Sequence, residues 1–220
     1  LYAQIDASKV ELETEVTEVN NSGKFVLTSK GDKIYYENLI NTAPLNKFLA
    51  EASDEGKAII DDLSYNKVLV LNIGFDKASE RYKDEHWIYF PSKDLNFYRI
   101  GFYNNILGSD ELNVYVEVGY PKDAPVNVEE ELKKTLQGMR ETGIIDETTN
   151  VVDYSYVIMD PAYVHISGPT EEKIKKLFTE LEDQGIHSTG RYGKWTYCSM
   201  EDCMVWAKEI ADKLNEKSAA

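Results

Sequence analysis

Apolar and polar positions alternate with a period of two over "VELETEVTEV", residues 10–19, which predicts a half-buried strand. The following "GKFVLTSKGDKIYYENLINTAP" predicts a strand over 24–29, a Lys-Gly-Asp turn, a strand over 33–36 and an apolar run over 38–42. Gly31-Asp32 between β-rich runs marks a hairpin. The period then lengthens: "PLNKFLAEASDEGKAIIDDL" predicts one or two short helices.

From Tyr65 the texture changes. "KVLVLNIGF", "HWIYFP", "FYRIGFYNN" and "LNVYVEVGY" are four aromatic and β-branched runs separated by polar turns, the spacing of an antiparallel sheet. "NVEEELKKTLQGMRETGII" predicts a helix capped by Asn127, with acids in its first turn and Gly143 after its last periodic residues. "VVDYSYVIMDPAYVHI" predicts a strand broken at Asp160-Pro161, because proline removes a ladder donor and restricts the residue before it. "PTEEKIKKLFTELEDQG" predicts a helix starting at Thr170 or Pro169 and ending at Gly185, and "MEDCMVWAKEIADKLNE" a last amphipathic helix. Strands, then an antiparallel group, then helices interleaved with single strands make the class α+β.

Composition narrows the partners. The chain has 220 residues, enough for one large domain or two small ones with a sizeable core. Its 39 acids against 24 bases leave a net charge of −15, which argues against nucleic acid as the main partner. A small phosphorylated ligand remains open, since one or two placed arginines suffice. The two cysteines, Cys198 and Cys203, do not make a disulfide framework, and a cytoplasmic location is the expectation. His86, His165 and His187 form no ligand-spaced cluster with them, so no metal is expected. No apolar run approaches the ~20 residues of a membrane span.

Two stretches carry candidate chemistry. In "GRYGKWTYCSMED", residues 190–202, glycines flank an arginine and allow a tight turn or a close approach to a ligand. The helix beginning near Ser199–Asp202 offers backbone N–H groups to an anion, Arg191 a bidentate fork, and Tyr192, Trp195 and Tyr197 flat surfaces. The plainer reading is a turn with Ser199 as N-cap and Glu201 and Asp202 as ordinary first-turn acids. In "HWIYFPSKDLNFYRIGFYNN", residues 86–105, alternation puts Trp87 and Tyr89 on one face, and a hairpin would set Tyr89 beside Arg99. The plainer reading is an aromatic ladder with a surface arginine. Tyr163 follows the proline, where a side chain can be turned into a cleft. His86 and His165 show no evident partner, and "SGPTEEK" lacks the second glycine and lysine of a phosphate loop.

Taken together, "HWIYFPSKDLNFYR", "GRYGKWTYCSMED" and the "NTAP" at 41–44 resemble the flavin-dependent family of amine-oxidase-like and protoporphyrinogen-oxidase-like enzymes, with the nearest likeness to UDP-galactopyranose mutases of the eukaryotic type. The resemblance implies a C-terminal fragment of a flavin-dependent nucleotide-sugar mutase serving polysaccharide precursor metabolism. It implies residues 1–64 as part of a Rossmann-like FAD-binding domain, 65–186 as an antiparallel-sheet substrate domain, and 187–220 as the return to the FAD domain. Arg99 and Arg191 would clamp a substrate diphosphate, with Tyr89, Tyr163 and Tyr197 as hydroxyl partners and Trp87 close by. Gly190, Met200, Glu201 and Asp202 would contact the flavin. Where the mutases carry an Asn-Gln-Asp-His run this chain has "SMEDC", which points instead to an oxidase-like branch with another substrate. No GxGxxG occurs, and no methionine opens the chain, so the expectation is an excised portion that holds no FAD by itself, its parent being the enzyme. A flavin-free binding module is the third alternative.

Overall fold

The alternating run near the start of the chain forms a strand only in its second half, β1 (Val16–Asn20). The reason is its partner: β2 (Phe25–Thr28) is four residues long, and the antiparallel pairing runs only from Asn20↔Phe25 to Val16↔Thr28. The hairpin at Gly31-Asp32 is as the pattern predicts, with Gly31 at φ +86° and β3 (Lys33–Tyr35) returning on β2. The computed structural model describes residues 2–52 and 59–219, so part of the helical stretch expected at 44–63 lies outside the described residues. The rest of it gives the helix Leu45–Glu51, which buries Leu45, Phe48 and Leu49.

The chain divides into two compact units, residues 65–163 and residues 1–64 with 164–220. In the discontinuous unit, β4 (Leu39–Asn41) pairs in parallel with β10 (Ile186–Ser188) near the far end of the chain. The helix Gly168–Asp183 belongs here, so the stretch expected as one substrate domain over 65–186 divides at 163. That helix starts at Gly168, one residue before Pro169 and two before Thr170: the Ser167 side chain accepts from the Thr170 amide, and Pro169 occupies a first-turn position where its missing N–H costs nothing. Its buried residues Ile174, Leu177 and Leu181 recur at helical spacing and pack inward. A four-residue turn, Gly190–Gly193, and the helix Met200–Ala219 complete the unit.

The 65–163 unit is built on a five-stranded sheet of order β6-β7-β8-β5-β9. Its strands are β5 (Ser64–Phe75), β6 (Trp87–Tyr89), β7 (Arg99–Phe102), β8 (Asn113–Pro121) and β9 (Val151–His165). The pairs β6/β7, β7/β8 and β8/β5 are antiparallel. One face carries Leu69, Leu71, Ile73 and Phe75 of β5, Val114, Val116 and Val118 of β8, and Ile100 and Phe102 of β7. The helix Val128–Glu141 covers this face with Met139, Leu132 and Leu136, and its Asn127 cap accepts from the Glu130 amide, as expected. Each such aliphatic or aromatic side chain contributes about 1.5–3 kcal/mol by burial. The expected strand "FYRIGFYNN" turns helical at Tyr103–Leu107.

Asp160-Pro161 does not break β9, which runs from Val151 through a cis Asp160-Pro161 bond to His165. Proline is tolerated because β9 is an edge of the sheet, where one side of the backbone has no ladder partner to lose. Residues 151–160 of this strand are exposed along their whole length. Among the described residues no helix is long and apolar enough to cross a membrane.

Candidate functional site

Pairing places Tyr89 of β6 opposite Arg99 of β7, and Arg99 opposite Glu117 of β8. The three therefore form one cross-strand row, on the face away from the helix-covered core. The contacts follow from the row. Arg99 Nη1 donates to the Tyr89 hydroxyl at 3.1 Å, and Nε donates to Glu117 Oε1 at 3.0 Å. Nη2 donates to the same Glu117 oxygen and stands 3.5 Å from the Tyr163 hydroxyl of β9. Tyr98 donates its phenol proton to the other Glu117 oxygen. The Tyr163 amide is fixed by the Asn66 side chain at 2.9 Å, which anchors β9 to β5 at that point.

The sequence signals for Tyr89, Arg99 and Tyr163 thus converge on one cluster; Glu117 is the residue that sequence reasoning missed. Its signal was available. In "VYVEV" the valines at 114, 116 and 118 point to the core, so Tyr115 and Glu117 must share the opposite face with Arg99. Glu117 is 7% exposed, and a carboxylate that buried needs a partner. Burial works against the charge on Arg99, but its hydrogen bonds to Glu117 and Tyr89 outweigh that and push its pKa up. Burial, then the Glu117 carboxylate, pushes the Tyr98 phenol up as well, so it remains a donor.

Trp87 lies opposite Gly101, and both Trp87 and Tyr89 are exposed. Gly101 is required by its neighbour: a Cβ there would sit 1.9 Å from the Tyr115 ring. The ring that occupies this space lies 6.0 Å from the Arg99 guanidinium carbon and 5.2 Å from the Tyr103 ring. Arg99 is therefore walled by aromatic rings, with Tyr89 at 5.6 Å on another side.

Arg191, Tyr197, Gly190 and Met200–Asp202 belong to the other unit, where "NTAP" explains their placement. Asn41 Nδ2 donates to Ser188 Oγ at 2.8 Å, Ser188 Oγ donates to the Gly193 carbonyl at 2.9 Å, and the Asn41 carbonyl accepts from Thr189 N at 2.9 Å. Gly193 closes on this strand end, since a Cβ there would lie 2.8 Å from the Asn41 carbonyl oxygen. Gly190 adopts φ +77°, which starts the turn in the left-handed region. The Arg191 guanidinium carbon sits 4.7 Å from the centre of the Tyr197 ring.

The helix start at 199–202 follows the plainer expectation. Ser199 Oγ accepts from the Asp202 amide at 3.1 Å, and Asp202 Oδ2 accepts from the Ser199 amide and hydroxyl, each at 2.8 Å. This capping box engages the amide and carboxylate of Asp202 with Ser199. By position, Met200 and Glu201 have amides without an intrahelical acceptor. His165 is exposed and its Nδ1 lies 2.8 Å from Ser64 Oγ, a hydrogen-bond partner that the sequence does not show.

No family model matches this chain. Solved structures do match in fold. Reduced UDP-galactopyranose mutase superposes with a TM-score of 0.80 at 23% identity, over 89% of this chain and 44% of that one. A putative protoporphyrinogen oxidase from Exiguobacterium sp. 255-15 gives a TM-score of 0.73 at 13% identity, over 94% of this chain and 47% of that one. A CLA-producing fatty acid isomerase from P. acnes gives 0.62 at 14% identity, over 91% and 47%. The chain spans about half the length of each of these structures, and what it shares with them is the fold.

Proposed function

We propose that this chain is the substrate-recognition part, with one flavin-contacting lip, of a flavin-dependent nucleotide-sugar mutase. The observation that carries the reading is the convergence of Tyr89, Arg99 and Tyr163 from three strands on the sheet face opposite the helix-covered core. A guanidinium with phenols around it suits a diphosphate, whose oxygens accept from all of them. Arg191, stacked on Tyr197, is the second proposed clamp. For the flavin, the fit is partial: the amides of Met200 and Glu201 and the open turn at Gly190 would meet one edge of it, while no GxGxxG is present to cradle its pyrophosphate. Bound reduced flavin would supply the nucleophile for the anomeric carbon; the residues described here would hold and orient the nucleotide.

The test is conversion of UDP-galactopyranose by full-length protein with reduced flavin. Arg99→Lys and Arg191→Gln, each keeping its fold, should lower kcat/KM by at least about tenfold, because a bidentate contact is lost. Failure of the wild type to convert this substrate would sink the mutase reading.

Glu117 favours a second reading. It engages two nitrogens of Arg99 and cancels its charge, which weakens the pull on a diphosphate and suits an oxidase-like enzyme with a less anionic substrate. Production of hydrogen peroxide with candidate amines, and no affinity for UDP, would select it.

A further inference from the structure

The two cysteines of the chain stand with their sulfurs 3.6 Å apart, Cys198 ahead of the terminal helix and Cys203 within its first turns. Their approach is dictated by the cap between them. With Ser199 as N-cap in its box with Asp202, Cys198 is the residue just before the cap and Cys203 the fourth helical residue. Those are the two positions that a capping box brings side by side, usually as an apolar staple. The Cys203 amide donates to the Ser199 carbonyl at 3.3 Å, so the turn that sets this distance is closed. Both thiols are half-buried and within reach of small reagents.

We propose that Cys198 and Cys203 are a redox-active dithiol that closes to a reversible disulfide across the helix cap. A disulfide needs sulfurs about 2.0 Å apart, so the pair must close by about 1.6 Å, within reach of χ1 rotation at two adjoining side chains. The co-reactant is a small disulfide of the glutathione class. One cysteine thiolate attacks a sulfur of the oxidant and expels a thiolate, leaving a mixed disulfide. The second cysteine, deprotonated, attacks the protein sulfur of that mixed disulfide and expels the other thiolate. One S–S bond forms and one breaks; two electrons and the two S–H protons pass to the two released thiols. Burial, then the contact with Cys203, pushes the Cys198 thiol up to about 11, which slows the exchange at neutral pH and quickens it as pH rises. Cys198 follows Tyr197 directly, so closing the bridge would fix the segment that presents Tyr197 to Arg191. The inference is independent of which substrate the chain recognises.

The experiment equilibrates the whole chain in graded ratios of reduced to oxidised glutathione, traps free thiols by alkylation and reads the products by peptide mass spectrometry. The expected result is an intramolecular 198–203 bridge that passes from minor to major species across the series and reverts on adding excess reduced glutathione. Cys198→Ser and Cys203→Ser should instead give glutathione adducts on the remaining thiol and no bridge. Glutathione adducts on both cysteines of the wild type, or two alkylated thiols even in the most oxidising mixture, would overturn the proposal and leave the pair an apolar staple.

Discussion

Glu117 grips Arg99 by two nitrogens of its guanidinium, Nε and Nη2, on the sheet face that the helix does not cover. With side chains 9% and 24% exposed, both charges are largely withdrawn from water and each depends on the other. Glu117→Ala should therefore destabilise the protein by on the order of 3 kcal/mol, somewhat less than a fully buried pair because Arg99 keeps some solvent. Replacing both partners by leucine should cost less than the sum of the single changes, since neither charge is then left alone. Urea unfolding of the two single variants and the double variant measures this directly. Additive losses would show that the pair does not act as a unit.

The same pair decides how the cluster meets an anion. Glu117→Gln keeps the shape and a hydrogen bond to Arg99 but removes the negative charge. If the ligand is a diphosphate, its affinity should rise about tenfold or stay level, and the gain should shrink as salt is added. A cationic ligand should bind more weakly by a comparable factor. Calorimetry with UDP and with a simple amine on the folded variant separates the two, and so separates the mutase reading from the oxidase-like one.

Much of this cluster was legible in the sequence. Period-two alternation with a hairpin was enough to set Tyr89 beside Arg99, because strand pairing is a local consequence of the pattern. Glu117 was harder, since its meaning depends on which strand lies next to β7, and that adjacency is tertiary. The continuity of β9 through Pro161 was also hidden: the sequence shows the proline but not that the strand sits at an edge. The extent of β1 is hidden for the same kind of reason, because the strand reaches only as far as its pairing with β2, at Val16↔Thr28. "NTAP" shows the opposite case. The motif stands out in the sequence, yet its physical role, hydrogen-bonding Ser188 and Thr189 so that the Gly190 turn starts in a fixed place, depends on the pairing of β4 with a strand almost 150 residues later.

Gly101→Ala tests the aromatic wall around Arg99. The new methyl would lie 1.9–2.5 Å from the Tyr115 ring, so the ring must swing out and leave the arginine. The expected loss is about 1–3 kcal/mol of stability. Adding Tyr115→Ala should recover part of it, because the methyl then meets space. Thermal unfolding of the two single variants and the double variant gives the coupling, and a double variant less stable than either single one would refute the crowding argument.

At Gly193 the obstacle is backbone. A Cβ would stand 2.8 Å from the Asn41 carbonyl oxygen, which cannot rotate away while β4 pairs with β10. Gly193→Ala should therefore cost more than Asn41→Ala, which removes the Asn41 side-chain bonds to Ser188 and Ala43 at about 1–3 kcal/mol. Amide exchange of residues 186–194 should quicken in both variants, more in Gly193→Ala, with residues 66–75 unchanged. Equal protection in wild type and variants would mean that the close approach does not hold the turn.

The acid limb of stability should depend on Asp76 and Asp146. Hydrogen bonds from the Asn150 side chain and amide lower the Asp76 pKa, and those from Thr148 and then Thr149 lower that of Asp146. A carboxylate held below its unfolded value of about 3.9 stabilises the native state fully above that value. The contribution fades as pH falls through the lower folded value, when the native carboxylates take up their protons. Asn150→Ala removes the Nδ2 donor to Asp76, the larger of the two causes, and leaves the backbone amide of residue 150 in place, so the pKa should rise part of the way towards the unfolded value and the variant should unfold at a higher pH than wild type. NMR titration of the Asp76 carboxyl carbon with acid-unfolding midpoints checks both halves. An unchanged titration in the variant would mean that Asn150 does not set this pKa, and the acid sensitivity of the β5–β9 edge must then come from another group.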